Sequence, residues 1–250
     1  MELKVMTFNL RVDCPTDGIN LFSNRKPKIY KAITDEAPDI IGFQEATDNI
    51  RSFLRESLTE YTVLGCGRNA DNGGEGVCIA YKKGAFELIS FDTFWLSDTP
   101  RVAGSVYENT DQSMFPRVTV VAKLRSIKTG KIFNFFNTHL DHKGEQARIK
   151  GMKQIFSEIK ENDGDFVLVG DMNATPDSEC IATALAFDGV IDATADVGGT
   201  FHNFGRRCCE IKIDYIFTNG CSTEAYRLSD EHEDGIYISD HYPVCAVIEL

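Results

Sequence analysis

Basic runs are scarce in this 250-residue chain. Lys and Arg number 26 against 38 Asp and Glu, a net charge of −12, and the nearest approaches to a basic cluster are Arg25-Lys26-Pro27-Lys28 and Arg206-Arg207. A duplex-binding protein draws much of its affinity from neutralising phosphates, so the balance disfavours non-specific duplex binding, although a local groove or a bound cation can still reverse the sign at a site. Tryptophan occurs once, as Trp95. No apolar stretch approaches the roughly 18 residues that span a bilayer, so no membrane partner is expected. Met1 to Asn9 lacks a basic region followed by an apolar core, so it does not read as a secretory leader and a cytoplasmic location is expected. There is no GxxxxGK[ST], which excludes a P-loop kinase, no GxSxG, which disfavours an acyl hydrolase, and no HExxH or C-x2-C to support zinc. The eight cysteines stand at 14, 66, 78, 180, 208, 209, 221 and 245, and the adjacent Cys208-Cys209 suits neither zinc nor a simple bridge. Most are expected to be buried free thiols of a reducing compartment.

What is present is ordinary globular material, 42% hydrophobic and 26% charged. The length is near the upper size of one hydrophobic core, so a single domain over residues 1–250 is expected. Strand-like and helix-like runs interleave without repeat or linker. Leu3 to Asn9, Asp39 to Gln44, Gly76 to Tyr81, Phe86 to Trp95, Phe166 to Val169, Ile211 to Phe217, Glu224 to Leu228 and Tyr242 to Glu249 read as strands. Val118 to Ile127 and Ile132 to His139 flank Thr129-Gly130, a hairpin signal. Ile29 to Ala37, the face Ile50, Phe53, Leu54 and Leu58, and the face Ile149, Met152, Ile155, Phe156 and Ile159 read as helices. Many adjacent strands with few intervening helices predict an α/β (α+β) fold: two mixed, mainly antiparallel sheets flanked by helices, a four-layer αββα sandwich. No heptad or exposed apolar helix is evident, and a monomer is expected.

The apolar runs share one oddity: each ends at, or close to, a carboxylate, an Asn or a His. The first ends at Asn9, the second at Glu45, the hairpin leads to His139, Val167-Leu168-Val169-Gly170 delivers Asp171 and Asn173, Ile213 precedes Asp214, and Ser239 precedes Asp240 and His241. One such residue is ordinarily a turn or a cap. Six together describe an active-site rim, because functional side chains gather where strands end in loops. Carboxylates and Asn amides are hard oxygen donors that suit Mg²⁺ or Mn²⁺ rather than zinc or iron. Phosphoryl transfer needs an in-line nucleophile, neutralised equatorial oxygens and help for the leaving group, and a metal, an Asp and one or two His supply them.

Thr7-Phe8-Asn9, Gly42-Phe43-Gln44-Glu45, Asn137-Thr138-His139, Gly170-Asp171-Met172-Asn173, Ile213-Asp214-Tyr215-Ile216 and Ser239-Asp240-His241-Tyr242-Pro243 together resemble the ordered motif set of the endonuclease/exonuclease/phosphatase family, which includes deoxyribonuclease I. They span residues 7 to 243. The resemblance implies that Glu45 holds the metal with Asn9 and Asp240 beside it, and that Asp171 orients or deprotonates the attacking water. It implies that Asn173 and His241 contact the scissile phosphate, that Asp214 sets the tautomer of His241, and that His139 lies near the leaving group. Glu75 matches by position a Glu that orients this His in the deoxyribonuclease I branch, and Arg117 resembles the family's phosphate-contacting Arg. The segment Phe94-Trp95-Leu96-Ser97-Asp98-Thr99-Pro100 resembles one in poorly characterised bacterial-type members.

The implied activity is a Mg²⁺- or Mn²⁺-dependent hydrolysis of phosphate esters, foremost as a phosphodiesterase or nuclease on single-stranded nucleic acid or a small diester. The alternative is a phosphomonoesterase on a small phosphorylated metabolite, with a non-catalytic phosphate-binding module behind it. Asp171-Met172-Asn173 continues as Ala174-Thr175-Pro176 and no Trp-Cys-Asp-Arg occurs, unlike inositol-polyphosphate 5-phosphatases. Asp141 and His142 read either as an extension of the site or as a turn into the next helix. His202 and His232 read as loop residues, and Trp95 as core.

Overall fold

A computed structural model describes residues 1–229 and 234–250; His232 lies outside the described residues. Twelve strands, four α-helices and one 3-10 helix, Pro15–Asn20, are described. The strands are β1 Glu2–Asn9, β2 Ile40–Gln44, β3 Tyr61–Gly67, β4 Gly76–Lys82, β5 Phe86–Trp95, β6 Val118–Ser126, β7 Ile132–His139, β8 Asp165–Asp171, β9 Ile191–Asp192, β10 Asp214–Thr218, β11 Cys221–Arg227 and β12 Val244–Glu249. The helices are α1 Phe22–Glu36, α2 Asp48–Ser57, α3 Glu145–Asn162 and α4 Glu179–Leu185. One sheet runs β11-β12-β1-β2-β4-β3, the other β5-β6-β7-β8-β10-β9. Each contains one parallel pair, β1 with β2 and β7 with β8, among antiparallel neighbours.

The apolar side chains sort into three layers. Leu3, Val5, Ile40, Val77 and Ile79 face Val120, Phe133, Phe135, Val167 and Val169 between the sheets. Met6, Phe8, Ile41 and Phe43 turn the other way, onto Phe22, Ile29 and Ile33 of α1 and Ile50 and Leu54 of α2. Phe136, Leu168, Tyr215 and Phe217 meet Met152, Ile155 and Phe156 of α3 and Ile181 of α4. Central strands buried on both faces read as continuous apolar runs rather than alternating ones. The result is the four-layer αββα sandwich that the sequence predicts.

Three departures are physical. Helix α1 begins at Phe22, seven residues before the apolar spacing at Ile29. Its first turns are anchored by a buried Arg25 that donates to the carbonyls of Leu10, Arg11, Asn20 and Ile238, and a polar anchor leaves no apolar signal. Strand β3 went unpredicted because it is a half-buried edge strand broken by Gly65 and Gly67. Only Cys78, Cys180 and Cys245 of the eight thiols are buried; Cys208, Cys209 and Cys221 are exposed, though none is bridged.

The sheets approach closely near the end where the motifs collect. A Cβ on Gly42 would lie 2.2 Å from Cγ2 of Val169 and 2.8 Å from Cγ of Asn137 in the opposite sheet. Gly42→Ala is therefore expected to cost about 1–3 kcal/mol by overpacking. Thermal unfolding should show a midpoint lowered by about 2–4 °C per kcal/mol. An unchanged midpoint would mean that the sheets can part at no cost.

Candidate active site

The strand directions bring the motifs to one end. Parallel β1 and β2 end together at Asn9 and Gln44, and parallel β7 and β8 end together at His139 and Asp171. Strands β4, β10 and β12 run antiparallel to neighbours in these pairs, so they begin at that end, preceded or opened by Glu75, Asp214, and Asp240 with His241. All of the candidate residues, on either sheet, therefore converge on one rim.

Beneath the rim, buried amides tie the sheets together. Gln44 Nε2 donates to Asn137 Oδ1 (2.7 Å) and Thr7 Oγ1 (3.1 Å), and Asn137 Nδ2 donates to the carbonyls of Cys78 and Phe43. The first residue of Gln44-Glu45 and of Asn137-Thr138-His139 is thus a tie between sheets, placing the candidate residue that follows it. Glu45 itself has φ +56°, Asn173 +48° and Arg11 +55°. Left-handed backbone costs a non-glycine residue of order 1–3 kcal/mol and persists where surrounding structure imposes it. Here Val12 N donates to Glu45 Oε2 (2.8 Å) and Asn173 N to Asp171 Oδ1 (2.9 Å).

Asn9 joins the two halves. Its Nδ2 donates to Asp171 Oδ2 (3.0 Å) across the sheets and to Glu45 Oε1 (3.3 Å), while its Oδ1 accepts from Arg11 N. His241 Nδ1 lies 2.9 Å from Asp214 Oδ2, which also accepts from Thr200 Oγ1 at 2.6 Å. The Nε2 atoms of His139 and His241 lie 3.5 and 3.8 Å from Asp171 Oδ2, so both imidazoles flank one carboxylate. Glu75 Oε1 stands 3.5 Å from His139 Nδ1. It also accepts from Arg68 Nη1 at 2.7 Å and lies 3.9 Å from Arg117 Nη1.

Burial and neighbours leave one histidine neutral and the other cationic. Burial, reinforced by Arg117 and Arg68, pushes His139 well below its ordinary value and keeps it neutral. Burial opposes the charge on His241 too, but Asp214, with Asp171 and Asp240, outweighs it and raises the imidazolium to about 10. Burial and then Asp214 raise the Asp171 carboxyl to about 7 despite His241. Burial also raises Asp240, against the pull of His241 and with the push of Glu45.

Glu45, Glu75, His139, Asp171, Asn173, Asp240 and His241 line a cavity of about 530 Å³ together with Arg11, Arg68, Phe115, Arg117, His142 and Phe201, while Asn9 and Asp214 lie behind its wall. Another hollow of about 570 Å³, by Tyr30, Leu58 and Tyr61, contains none of the candidate residues. Two groups of donors could hold a cation. Asp171, Asp214 and His241 offer atoms within 4.8 Å of one another, with His241 Nδ1 already engaged by Asp214 Oδ2 at 2.9 Å. Glu45 and Asp240 supply hard carboxylate oxygens, with Asn9 beside them donating to Glu45 Oε1, and the mutual repulsion of Glu45 and Asp240 is what a divalent ion relieves. This second set fits a hard divalent cation.

Arg68, Phe115 and Phe201 carried no sequence signal, since each becomes part of the site only through folding. Asp141 caps the turn into α3, accepting from Lys143 N and Gly144 N, whereas His142 joins the cavity wall, so one of the two fits each reading. Trp95 is core, its Nε1 donating to Arg68 O (2.7 Å), and His202 is a loop residue buried between Tyr237 and Tyr242.

Residues 6–241 match the sequence model of the Endonuclease/Exonuclease/phosphatase family. Among solved structures, the chain is similar to an endonuclease/exonuclease/phosphatase from Bacteroides vulgatus, with 34% identity, a TM-score of 0.93 and coverage of 100% of this chain and 99% of that one. It is also similar to a mannosyl-6-phosphatase from Bacteroides thetaiotaomicron, with 26% identity, a TM-score of 0.90 and coverage of 99% and 100%. D. rerio TDP2, complexed with a single-strand DNA product, shares the fold at 16% identity, a TM-score of 0.79 and coverage of 100% and 99%. A comparison with curated proteins found no match. The ordered motifs, the two-sheet sandwich and the family match over residues 6–241 agree that this chain belongs to the endonuclease/exonuclease/phosphatase family and is a phosphoric ester hydrolase.

Proposed function

We propose that the chain is a divalent-metal-dependent hydrolase of a small phosphate ester, foremost a phosphomonoester of a polyhydroxylated metabolite. The observation that carries the reading is the pair of imidazoles around Asp171, one cationic and one neutral. Asp171, with a carboxyl near neutrality, is suited to take a proton from water. His241, held as imidazolium by Asp214, binds the phosphoryl oxygens and opposes the charge that develops on them. Asn173, its main chain pinned to Asp171, contacts the same group, and Arg117 adds a cation to the substrate-binding wall. His139, oriented by Glu75, stands on the leaving-group side. Glu45 would hold the cation with Asn9 and Asp240 beside it. The ion would polarise the phosphoryl group and neutralise its charge.

The acidic balance and a cavity of about 530 Å³ support a small substrate over a polymer. The full-length likeness to a mannosyl-6-phosphatase supports a sugar phosphate among small esters. A screen of purified protein with Mg²⁺, Mn²⁺ or EDTA against sugar phosphates, p-nitrophenyl phosphate, its bis-ester and single-stranded oligonucleotides tests it. Metal-dependent release of inorganic phosphate from a sugar phosphate is expected. Cleavage confined to oligonucleotides would replace this reading with a nuclease.

The rate should follow a bell-shaped pH profile. Asp171 must be ionised to accept a proton, so activity rises with pH through a value at or below about 7, a bound cation shifting it downward. His241 must stay protonated, so activity falls as pH climbs through about 10. Initial rates from pH 5 to 11 check both limbs; a rate that declines above pH 7 would take the cationic role from His241.

A further inference from the structure

The side chains of the site form a line of contacts. It runs from His241 to Asp171, to His139, to Glu75, and then to Arg68 and Arg117. His142 lies past Arg117, its Nδ1 2.8 Å from Arg117 Nη2. Arg117 and His142 therefore stand beyond the imidazole assigned to the leaving group, on the side where the rest of the substrate extends.

Arg117 is a conspicuous resource there. It is 4% exposed and lines the cavity, yet its Nε and Nη1 make no hydrogen bond. Its carboxylate neighbours do not use it fully. Asp141 Oδ2 is 3.5 Å from Nε and is already engaged by Ser113 Oγ, while Asp141 Oδ1 accepts from three backbone amides. Glu75 is 3.9 Å from Nη1 and is taken by Arg68. A buried guanidinium whose carboxylate neighbours are otherwise engaged keeps a positive charge on the cavity wall for an anionic ligand to meet. His142 adds a second donor. Burial and then Arg117 lower its pKa, so the ring is neutral and accepts from Arg117 at Nδ1, which leaves the proton on Nε2. Phe115, 44% exposed, closes this end, stacked beneath Arg68 at 4.7 Å and 6.1 Å from the His142 ring.

We propose that Arg117, His142 and Arg68, walled by Phe115, form a second oxyanion subsite that binds a negatively charged group on the non-reacting part of the substrate. The inference rests on the small-ester reading and sharpens it: the preferred substrate carries two anionic groups, a phosphoryl group that is cleaved and a second phosphate or a carboxylate that is held. Each charge-assisted contact to a buried guanidinium strengthens binding, and about tenfold in affinity is the scale for one such group.

The test compares hexose 6-phosphate, hexose 1,6-bisphosphate and a 6-phosphohexonate carrying a carboxylate, using the Mg²⁺-loaded protein. A kcat/KM at least about tenfold higher for either doubly charged ester, expressed mainly in KM, is expected, and the favoured arm identifies the held group. The ratio of doubly to singly charged ester should collapse toward unity in Arg117→Met and fall in His142→Ala. Calorimetry of the same esters on Mg²⁺-loaded Asp171→Asn reads binding without turnover. Tighter binding of a doubly charged ester there, with no hydrolysis by the parent protein, would remove the hydrolase reading and leave the subsite standing. Equal binding and equal kcat/KM for all three esters, or a preference untouched by Arg117→Met and His142→Ala, overturns the subsite even where every ester is hydrolysed.

Discussion

Glu45→Gln is expected to reduce kcat by about 10³-fold, and EDTA to abolish turnover until Mg²⁺ or Mn²⁺ is restored. The side chain sits at a tight left-handed turn where its two oxygens are aimed into the cavity by Val12 N and Asn9 Nδ2. Gln keeps the shape and offers one neutral oxygen in place of a carboxylate. Losing the cation forfeits several kcal/mol of charge stabilisation on the phosphoryl group, and about 4 kcal/mol corresponds to that factor. The backbone strain at residue 45 is unaltered by the change, so thermal stability should hold while metal affinity, measured by calorimetry, falls. Turnover indifferent to EDTA and to this substitution would remove the metal from the mechanism.

The second large effect belongs to His241. His241→Ala should lower kcat by about 10² or more, the usual loss when one preorganised electrostatic stabiliser is deleted. The companion measurement is metal affinity, which should change little. Were the ion seated instead among Asp171, Asp214 and His241, whose donor atoms lie within 4.8 Å, the same substitution would cost binding as well as rate. Asp214→Asn separates charge from shape. The carboxylate is the largest influence holding His241 protonated, so its removal should move the alkaline limb of the pH–rate profile from about 10 toward the ordinary imidazole range. An alkaline limb that stays in place would mean that His241 does not set it.

Much of the candidate site was legible because its residues sit at fixed offsets from strand ends. Asn9 closes β1, Glu45 follows β2, His139 closes β7 and Asp171 closes β8, and each strand announces itself by an apolar run. Glu75 was legible only through the resemblance, since its neighbours Asp71 to Gly74 form a polar loop without periodicity. Arg68 and Phe115 were not legible at all. Their place depends on Arg68 folding back on Glu75 and on Phe115 reaching it from a segment 47 residues later, and no local pattern encodes either approach.

The sequence by itself determined the two-sided burial of the central strands, the helices that cover them, the hard oxygen donors and the order of the motifs. Apolar periodicity states which faces are buried. It does not state against what. Strands β4 and β5 follow one another across a three-residue turn, yet β4 pairs with β2 and β3 in one sheet and β5 with β6 in the other. Only the closed sandwich decided that Asn9 reaches Asp171 across 162 residues, that His241 takes its charge from Asp214, and that Arg117 lies buried with two nitrogens unmet. These contacts depend on register and on the spacing between sheets, which are settled by packing whole faces together rather than by any stretch of chain.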